Sequence, residues 1–474
     1  MIPARLEWLV ADDAPSTRLA RAFADAGSSL HLVGGSVRDA LLDRESPDLD
    51  FTTPARPEQV KAIVEAFGGT TFTVGEAFGT IGLIVGEETF EITTFRKEVY
   101  RDDSRKPHVE YSDDIETDLS RRDFAVNAMA LDILGRELVD PFGGLADLAA
   151  GVLRTPIGPE VSFSDDPLRM LRLYRFVSTL GFEPSEAADA AVREMAARLE
   201  IVSAERIRDE LDKLLVGDHV ADALWGLVES GLAEHFLPEF ALLADAVDPY
   251  HRHKDVLSHT IAVVEKTRPT VRLRLAALLH DIGKPETREF GPNGVSFHHH
   301  EVVGARMARQ RMRELRYSRE MVRDVGDLVF MHLRPHTFAM GWTDSAVRRY
   351  VRDAGHLLDD LNELVRSDVT TKNKRRAEAI QRRIDELEER IEVLREQEEL
   401  AALRPPIDGT QVIAYLGLTP GPRVGEVMKL LLEHRIEEGP YSEDEAYRLV
   451  REWAEAADVV VPDPDARPPA RERD

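Results

Sequence analysis

The 474-residue sequence predicts an α+β head followed by an all-α remainder, on three observations. Short runs rich in β-branched or aromatic residues are confined to the first third, at residues 31–33, 51–53, 80–85, 89–95 and 130–133. Helical patterns lie between several of them, notably at residues 57–66, so the runs should form a small mixed sheet with helices. From about Pro167 onward strand signals give way to helical periodicity. The length also exceeds what one hydrophobic core usually supports, so about three domains are expected.

Taken in order, residues 1–150 form the head and residues 151–245 a helical neck and body. Inside the head, residues 95–116 are polar, dense in charge and without a core pattern, which predicts a mobile loop. Residues 246–373 form a histidine-rich helical domain: nine of the 15 histidines fall between His251 and His336. Residues 374–460 begin with a long helix in which Ile380, Ile384, Leu387, Ile391 and Leu394 recur at a/d spacing, ended by Arg404-Pro405-Pro406. Only about two and a half heptads are regular, so the helix reads as a packing arm and not as a dimer coiled coil. Residues 461–474 have the composition of a disordered tail.

The chain has no cysteine, which removes disulfides and thiolate metal sites and fits a reducing cytoplasm. It shows no charged-then-apolar leader and no apolar run long enough for a bilayer, so neither secretion nor membrane insertion is expected. The net charge of −26 opposes general attraction to nucleic acid. Any grip on RNA must then come from local patches, such as the arginines after Asp166 or the group Arg316, Arg319 and Arg323.

Chemistry concentrates first in LVGGSVRDALLDRESPDLDFTT, residues 32–53. Side chains at i and i+2 of a strand share a face, so a strand through Asp48 and Asp50 presents paired carboxylates. Such a pair suits Mg²⁺, which binds one or two carboxylates together with substrate phosphates. Gly34 and Gly35 follow a strand and precede a helical run, a setting in which backbone N–H groups approach phosphate and Arg38 adds a charged fork. An isolated DxD is more often a solvated turn; the paired glycines and the arginine favour nucleotidyl transfer.

Further along, Asp123 and Asn127 share a face if their segment is helical. Asp166 precedes Pro167, a natural cap before a first-turn proline, while Arg169, Arg172 and Arg175 form one basic stripe over two helical turns.

GGSVRD followed by DLDFTT resembles the head signature of the class II CCA-adding tRNA nucleotidyltransferases and bacterial poly(A) polymerases, of the polymerase-beta-like superfamily. Further blocks follow in that family's order: EITTFR from Glu91, RRDF from Arg121 with NAMA from Asn127, DDPLRMLR from Asp165 with Arg175-Phe176, and SAERI from Ser203. Together they span roughly the first 215 residues. The resemblance implies a mixed-sheet nucleotidyltransferase head and transfer of C, C and A to the tRNA 3′ end from CTP and ATP, with Mg²⁺ at Asp48 and Asp50.

It also implies Glu91 as a third carboxylate, Arg122 on the triphosphate, Asp123 and Asn127 on the ribose, and Asp166 with Arg169 on the base. Cytosine and adenine each present an amino donor beside a ring-nitrogen acceptor, whereas uracil and guanine reverse that order. One carboxylate and one guanidinium therefore accept C and A and refuse U and G. Where the family has Glu-Asp, this chain has Asp165-Asp166. Poly(A) synthesis or addition of A alone is the rival within the family.

The segment AALLHDIGKP, with His280-Asp281, resembles the HD domain of metal phosphohydrolases. That resemblance implies His259, His280, Asp281 and Asp368 as ligands of a divalent transition metal, with His300 and His332 available to a second ion. Such a domain either hydrolyses phosphoesters at nucleotide or RNA ends or is retained for shape.

Overall fold

The computed structural model describes residues 2–44, 49–68, 70–72, 79–85, 88–99, 108–245, 255–291, 294–369, 374–398 and 404–469. Asp48 lies outside them. Two compact units account for the chain: residues 1–247 with 269–274 and 310–318, and residues 248–268 with 275–309 and 319–474.

In the first unit the described residues of the head form nine strands: β1 (His31–Val33), β2 (Leu49–Thr53), β3 (Thr70–Phe72), β4 (Thr80–Val85), β5 (Glu88–Thr94), β6 (Arg96–Val99), β7 (His108–Tyr111), β8 (Ala130–Asp132) and β9 (Glu137–Val139). Seven form one sheet in the order β3-β4-β5-β2-β1-β8-β9. Only β2 and β5 run parallel within it, with Asp50 opposite Glu91 and Phe51 opposite Ile92. Because alternate residues face opposite ways, Phe51, Phe90 and Ile92 go into the core while Asp50 and Glu91 share the other face. The charged stretch after Phe95, expected to be a loop, instead starts and ends as the two-stranded hairpin of β6 and β7, Arg96 pairing with Tyr111.

The helical body follows. Helix Pro159–Asp165 ends in a kink at Asp166, whose φ of −139° and ψ of 99° are extended, and helix Leu168–Leu180 begins beyond Pro167. Leu168, Met170, Leu171, Leu173, Tyr174 and Phe176 are buried, so this helix is a core element and not a surface stripe. Helix Ala204–Leu215 packs beside it through Ile207, Leu211 and Leu214.

In the second unit the helices Val256–Lys266, Arg319–Met331 and Leu358–Asp368, with the end of helix Val271–Leu279 and the start of helix His300–Glu314, come together around the histidines. The long helix Lys374–Glu398 buries Ile384, Leu387, Ile391 and Leu394 against its own chain. Arg366, from helix Leu358–Asp368, bonds Asp385 at 2.6 Å and Glu388 at 2.5 Å along it, as a packing arm requires.

A last helical cluster closes around Val412, Tyr415, Leu431, Tyr447 and Val450. The C-terminal segment, expected to be disordered from residue 461, lies on this cluster in its described part: Tyr415 donates to Pro464 O at 3.0 Å and Gln411 to Pro468 O at 3.0 Å. The Arg467 guanidinium stacks 4.7 Å from the Tyr447 ring.

Candidate active site

β1 ends at Val33, and Gly34 turns the chain with φ 72° and ψ −134°, a conformation that an L side chain resists. A Cβ at this position would lie 2.9 Å from Arg122 Nη1 and 4.0 Å from Asp50 Oδ2. The glycine thus lets a cation and a carboxylate approach one bare stretch of backbone. Ser36, in the turn of helix that follows, accepts the Asp50 N–H at 3.1 Å and fixes that helix to β2. Glu91, exposed, stands across the parallel pair from half-buried Asp50. Two carboxylates on adjacent strands of one face form a hard-oxygen donor set of the kind that Mg²⁺ takes.

Arg122 is held from behind by Asp118. This fully buried carboxylate accepts from Arg122 Nη2 at 3.3 Å, from Arg121 Nη2 at 2.7 Å and Nε at 3.0 Å, from the Thr52 hydroxyl at 3.2 Å and from Arg96 N at 3.3 Å. Burial works against its charge, but the two guanidinium groups and these hydrogen bonds outweigh burial and keep its carboxyl below the usual range.

Asp123 and Asn127 do come together, the short 3₁₀ turn Ala125–Asn127 folding back so that Asn127 Nδ2 donates to Asp123 Oδ1 at 2.9 Å. The same Asp123 oxygen accepts Phe124 N at 2.8 Å, and its partner oxygen accepts Arg172 Nε at 2.9 Å and Nη2 at 2.5 Å. Arg38 does not project a free fork toward a ligand. It donates to Asn127 Oδ1 at 2.5 Å, grips both oxygens of Asp39 at 2.8 Å and lies 5.1 Å from the Phe176 ring.

The arginines expected to form an open basic stripe are likewise engaged. Glu210 accepts Arg172 Nη1 at 2.9 Å and pairs with Arg175 Nε at 3.0 Å, and Arg175 lies 3.8 Å from the Phe176 ring. Burial and the neighbouring Arg172 charge bring the Arg175 guanidinium down to about 10 despite Glu210 and Asp123. Arg169, buried, donates to Ser162 Oγ at 2.9 Å and to the carbonyl of Arg121. Asp166 lies one residue ahead of the expected cap, since Pro167 takes the N-cap position of helix Leu168–Leu180; its Oδ1 accepts Leu168 N at 3.2 Å, while Oδ2 accepts Arg206 Nη2 at 2.7 Å.

The second unit assembles every histidine and aspartate singled out there. His259, His280 and Asp368 form one group of converging ligand atoms, and Asp281, His300 and His332 another. His259 Nε2 is 2.9 Å from Asp368 Oδ1, His280 Nε2 is 3.2 Å from Asp281 Oδ2, and His300 Nε2 is 3.4 Å from Asp281 Oδ1. In His280, His300 and His332 the Nδ1 meets the carbonyl three residues back, at 2.7, 2.8 and 2.6 Å. Those bonds place the proton on Nδ1 and turn Nε2 inward as a ligand. The His300 Nε2 is buried and, among the described residues, has no hydrogen-bond partner. Burial disfavours charge on His280, yet Asp281 and Asp368 raise it to about 10, whereas burial and the His280 charge push His332 down to about 3. The donor set, the inward nitrogens and this appetite for positive charge all fit divalent ions.

Residues 30–154 match the poly A polymerase head domain, residues 181–243 the probable RNA and SrmB-binding site of polymerase A, and residues 243–393 the HD domain. An A-adding tRNA nucleotidyltransferase of Deinococcus radiodurans is 35% identical over 436 residues, covering 90% of this chain and 95% of that protein. The chain belongs to the tRNA nucleotidyltransferase family.

Other members of that family share different extents of it. The CC-adding tRNA nucleotidyltransferase of Thermus thermophilus is 32% identical over 435 residues, 89% of this chain and 93% of that protein. The CCA-adding enzyme of Lactobacillus helveticus is 42% identical over 218 residues, 46% of this chain and 53% of that protein. The fold matches that of the Bacillus stearothermophilus CCA-adding enzyme crystallised with CTP, at a TM-score of 0.66 and 24% identity over 96% of this chain and 99% of that one.

Motif reading of this nucleotidyltransferase missed Ser36, Asp118, Phe176 as a cation platform, Arg206 and Glu210. Ser36 and Asp118 stand within or just ahead of the GGSVRD and RRDF blocks, and Arg206 and Glu210 stand in or just past SAERI. The blocks were therefore the signal, though nothing in their spacing names the partner across the fold.

Proposed function

We propose that this nucleotidyltransferase builds the 3′-terminal CCA of tRNA from CTP and ATP. One observation carries the reading: Asp50, Glu91, Gly34 and Arg122 converge at one edge of β2, and the Arg169–Arg121 bond ties that edge to the kink holding Asp166. In the reaction the tRNA 3′-oxygen attacks the α-phosphorus, the bond to the bridging oxygen breaks, and pyrophosphate leaves. Mg²⁺, held by Asp50 with Asp48, would supply charge neutralisation at the triphosphate. Glu91 assists at that face by receiving the hydroxyl proton or adding a ligand. Arg122, steadied by Asp118, meets the triphosphate, and Gly34-Gly35 leave room for it.

Asp123 and Asn127 face the ribose, with Arg38 and Arg172 orienting them and Arg175 completing the set through Glu210. Asp166 accepts the base amino proton and Arg169 donates to the ring nitrogen, so the protein stands in for a template. A wrong base leaves buried polar groups unpaired, which makes refusal strong.

The test incubates purified protein with tRNAs ending before the CCA, after one C and after CC, with CTP and ATP singly and together, and sequences the 3′ ends. Full CCA on all three tRNAs is the expected outcome. Addition of A to the CC-ended tRNA alone would replace this reading with the one favoured by the Deinococcus relative.

We propose in addition that the HD site binds a divalent transition metal through His259, His280, Asp281 and Asp368, with His300 and His332 serving a second ion. No helix among the described residues is long and apolar enough to cross a membrane. A tRNA substrate favours the cytoplasm as the site of the activity.

A further inference from the structure

Asp166 is well placed to fold the chain but is loosely fixed by its own segment. It occupies a kink of extended backbone between two helices, and a single local bond, from Leu168 N to Oδ1 at 3.2 Å, holds its side chain. One hydrogen bond to one oxygen leaves the carboxylate plane free to turn about it. Hydrogen bonds weaken steeply as their angle falls, so a group that reads a base by accepting its amino proton needs that plane fixed.

The second bond comes from a residue 40 positions later, Arg206, whose Nη2 donates to Asp166 Oδ2 at 2.7 Å. Arg206 belongs to the first turn of helix Ala204–Leu215, and the burial of Ile207, Leu211, Leu214 and Leu215 anchors that helix. Four residues on, and so on the same face, Glu210 holds Arg172 and Arg175. A single rigid helix therefore grips the base-side kink with a cation and the following arginines with an anion. Arg206 itself is half exposed, 52% by side chain, so the pair adds little to folding. Its geometry, however, sets the direction in which the free lone pairs of Asp166 point.

We infer that Arg206 is a positioning residue for nucleotide selection, holding the Asp166 carboxylate in the orientation that accepts the amino groups of cytosine and adenine. The inference rests on Asp166 being the base acceptor. Without Arg206 the carboxylate turns about its remaining bond. Discrimination then falls because the correct base loses alignment, while U and G, which offer an oxygen there, are no longer met by a fixed acceptor.

The experiment measures kcat/KM for CTP, ATP, UTP and GTP separately, on tRNA lacking CCA and tRNA ending in CC. It uses the full chain and its Arg206→Ala, Arg206→Lys, Asp166→Ala and double variants, with thermal unfolding of each. Arg206→Ala should reduce the CTP/UTP and ATP/GTP ratios about tenfold, mainly through KM for the correct nucleotides, with an unchanged midpoint of unfolding. Arg206→Lys, which keeps the charge on a single nitrogen without the planar fork, should recover part of the ratio. In the double variant Arg206→Ala should add nothing to the loss caused by Asp166→Ala, since both act through one carboxylate.

An equal fall of kcat/KM for all four nucleotides, or unchanged ratios beside an Asp166→Ala variant that has lost selectivity, would overturn the role of Arg206 alone. Strict exclusion of UTP and GTP by Asp166→Ala would overturn the base-acceptor reading beneath it. Should Arg206→Ala fail to fold, Arg206→Lys and Arg206→Gln give the same comparison.

Discussion

Asp50 and Glu91 stand directly opposite each other across the one parallel strand pair of the head sheet, both on the face away from the core. Adjacent like charges of this kind gain from a cation and lose without one. Replacing Asp50 by Asn should lower single-nucleotide incorporation by about 10³-fold or more at saturating Mg²⁺. Glu91→Gln should cost about 10²-fold, chiefly in kcat. Steady-state rates across a Mg²⁺ titration check both, and an unchanged kcat in Glu91→Gln would remove it from the reacting centre.

Gly34→Ala places a Cβ 2.9 Å from Arg122 Nη1 on backbone whose φ is 72°. The left-handed strain should cost about 1–2 kcal/mol of stability, and the displaced guanidinium should raise KM for the triphosphate severalfold. Urea unfolding and nucleotide titration report the two effects separately.

The Asp123 carboxyl is pushed up by burial but pulled down further by Arg172, by its bond from Asn127 and by Arg175, and lies well below the usual range. Its unfolded counterpart titrates near pH 4, so the unfolded chain binds a proton there that the folded chain refuses. The stabilisation is then complete above about pH 5 and drains away as pH falls below about 4. Asp123→Asn should be less stable by about 2–4 kcal/mol at pH 7, with the gap in melting midpoint narrowing steadily toward pH 3. A gap independent of pH would show that the charge contributes nothing.

Glu210→Ala leaves Arg172 with Asp123 alone and Arg175 without its carboxylate inside a largely buried cluster. We expect a loss of about 2–3 kcal/mol, discounted for the partial exposure of both arginines. Glu210→Gln should retain less than half of the difference. Differential scanning calorimetry distinguishes the pair.

His280→Ala combined with Asp281→Ala should abolish stoichiometric transition-metal binding, read by elemental analysis after dialysis, while CCA addition by the head continues at near the parental rate. Retention of metal by the double variant would place the site elsewhere.

The head was legible because its signals are local. Short runs rich in β-branched or aromatic residues marked β1, β2, β4, β5 and β8, and two glycines before a helix fixed the turn at Gly34. The HD histidines and aspartates were picked out by the resemblance of AALLHDIGKP to the HD family, and the fold gathers them into two groups of converging ligand atoms. What escaped depends on pairing at a distance. Glu210 meets Arg172 across 38 residues and Arg169 meets the Arg121 carbonyl across 48, and no periodicity encodes such partners. The arginines after Asp166 looked like an open basic stripe because their counter-charges, Asp123 and Glu210, sit on other elements. The hairpin of β6 and β7 and the seating of Pro464 and Pro468 escaped for the converse reason: polar composition concealed backbone pairing.

Asp166 also has an obligation unrelated to any nucleotide, since its Oδ1 receives the N–H of Leu168, a residue with 4% of its surface exposed. Alanine there strands that donor, so drift toward small side chains is opposed by folding itself. Asparagine keeps the bond through its carbonyl oxygen yet turns an amide donor toward the neighbourhood of Arg206. The mutational step that folding tolerates best is thus the one that inverts the polarity of this position, and only selection on the product can keep it out of a lineage.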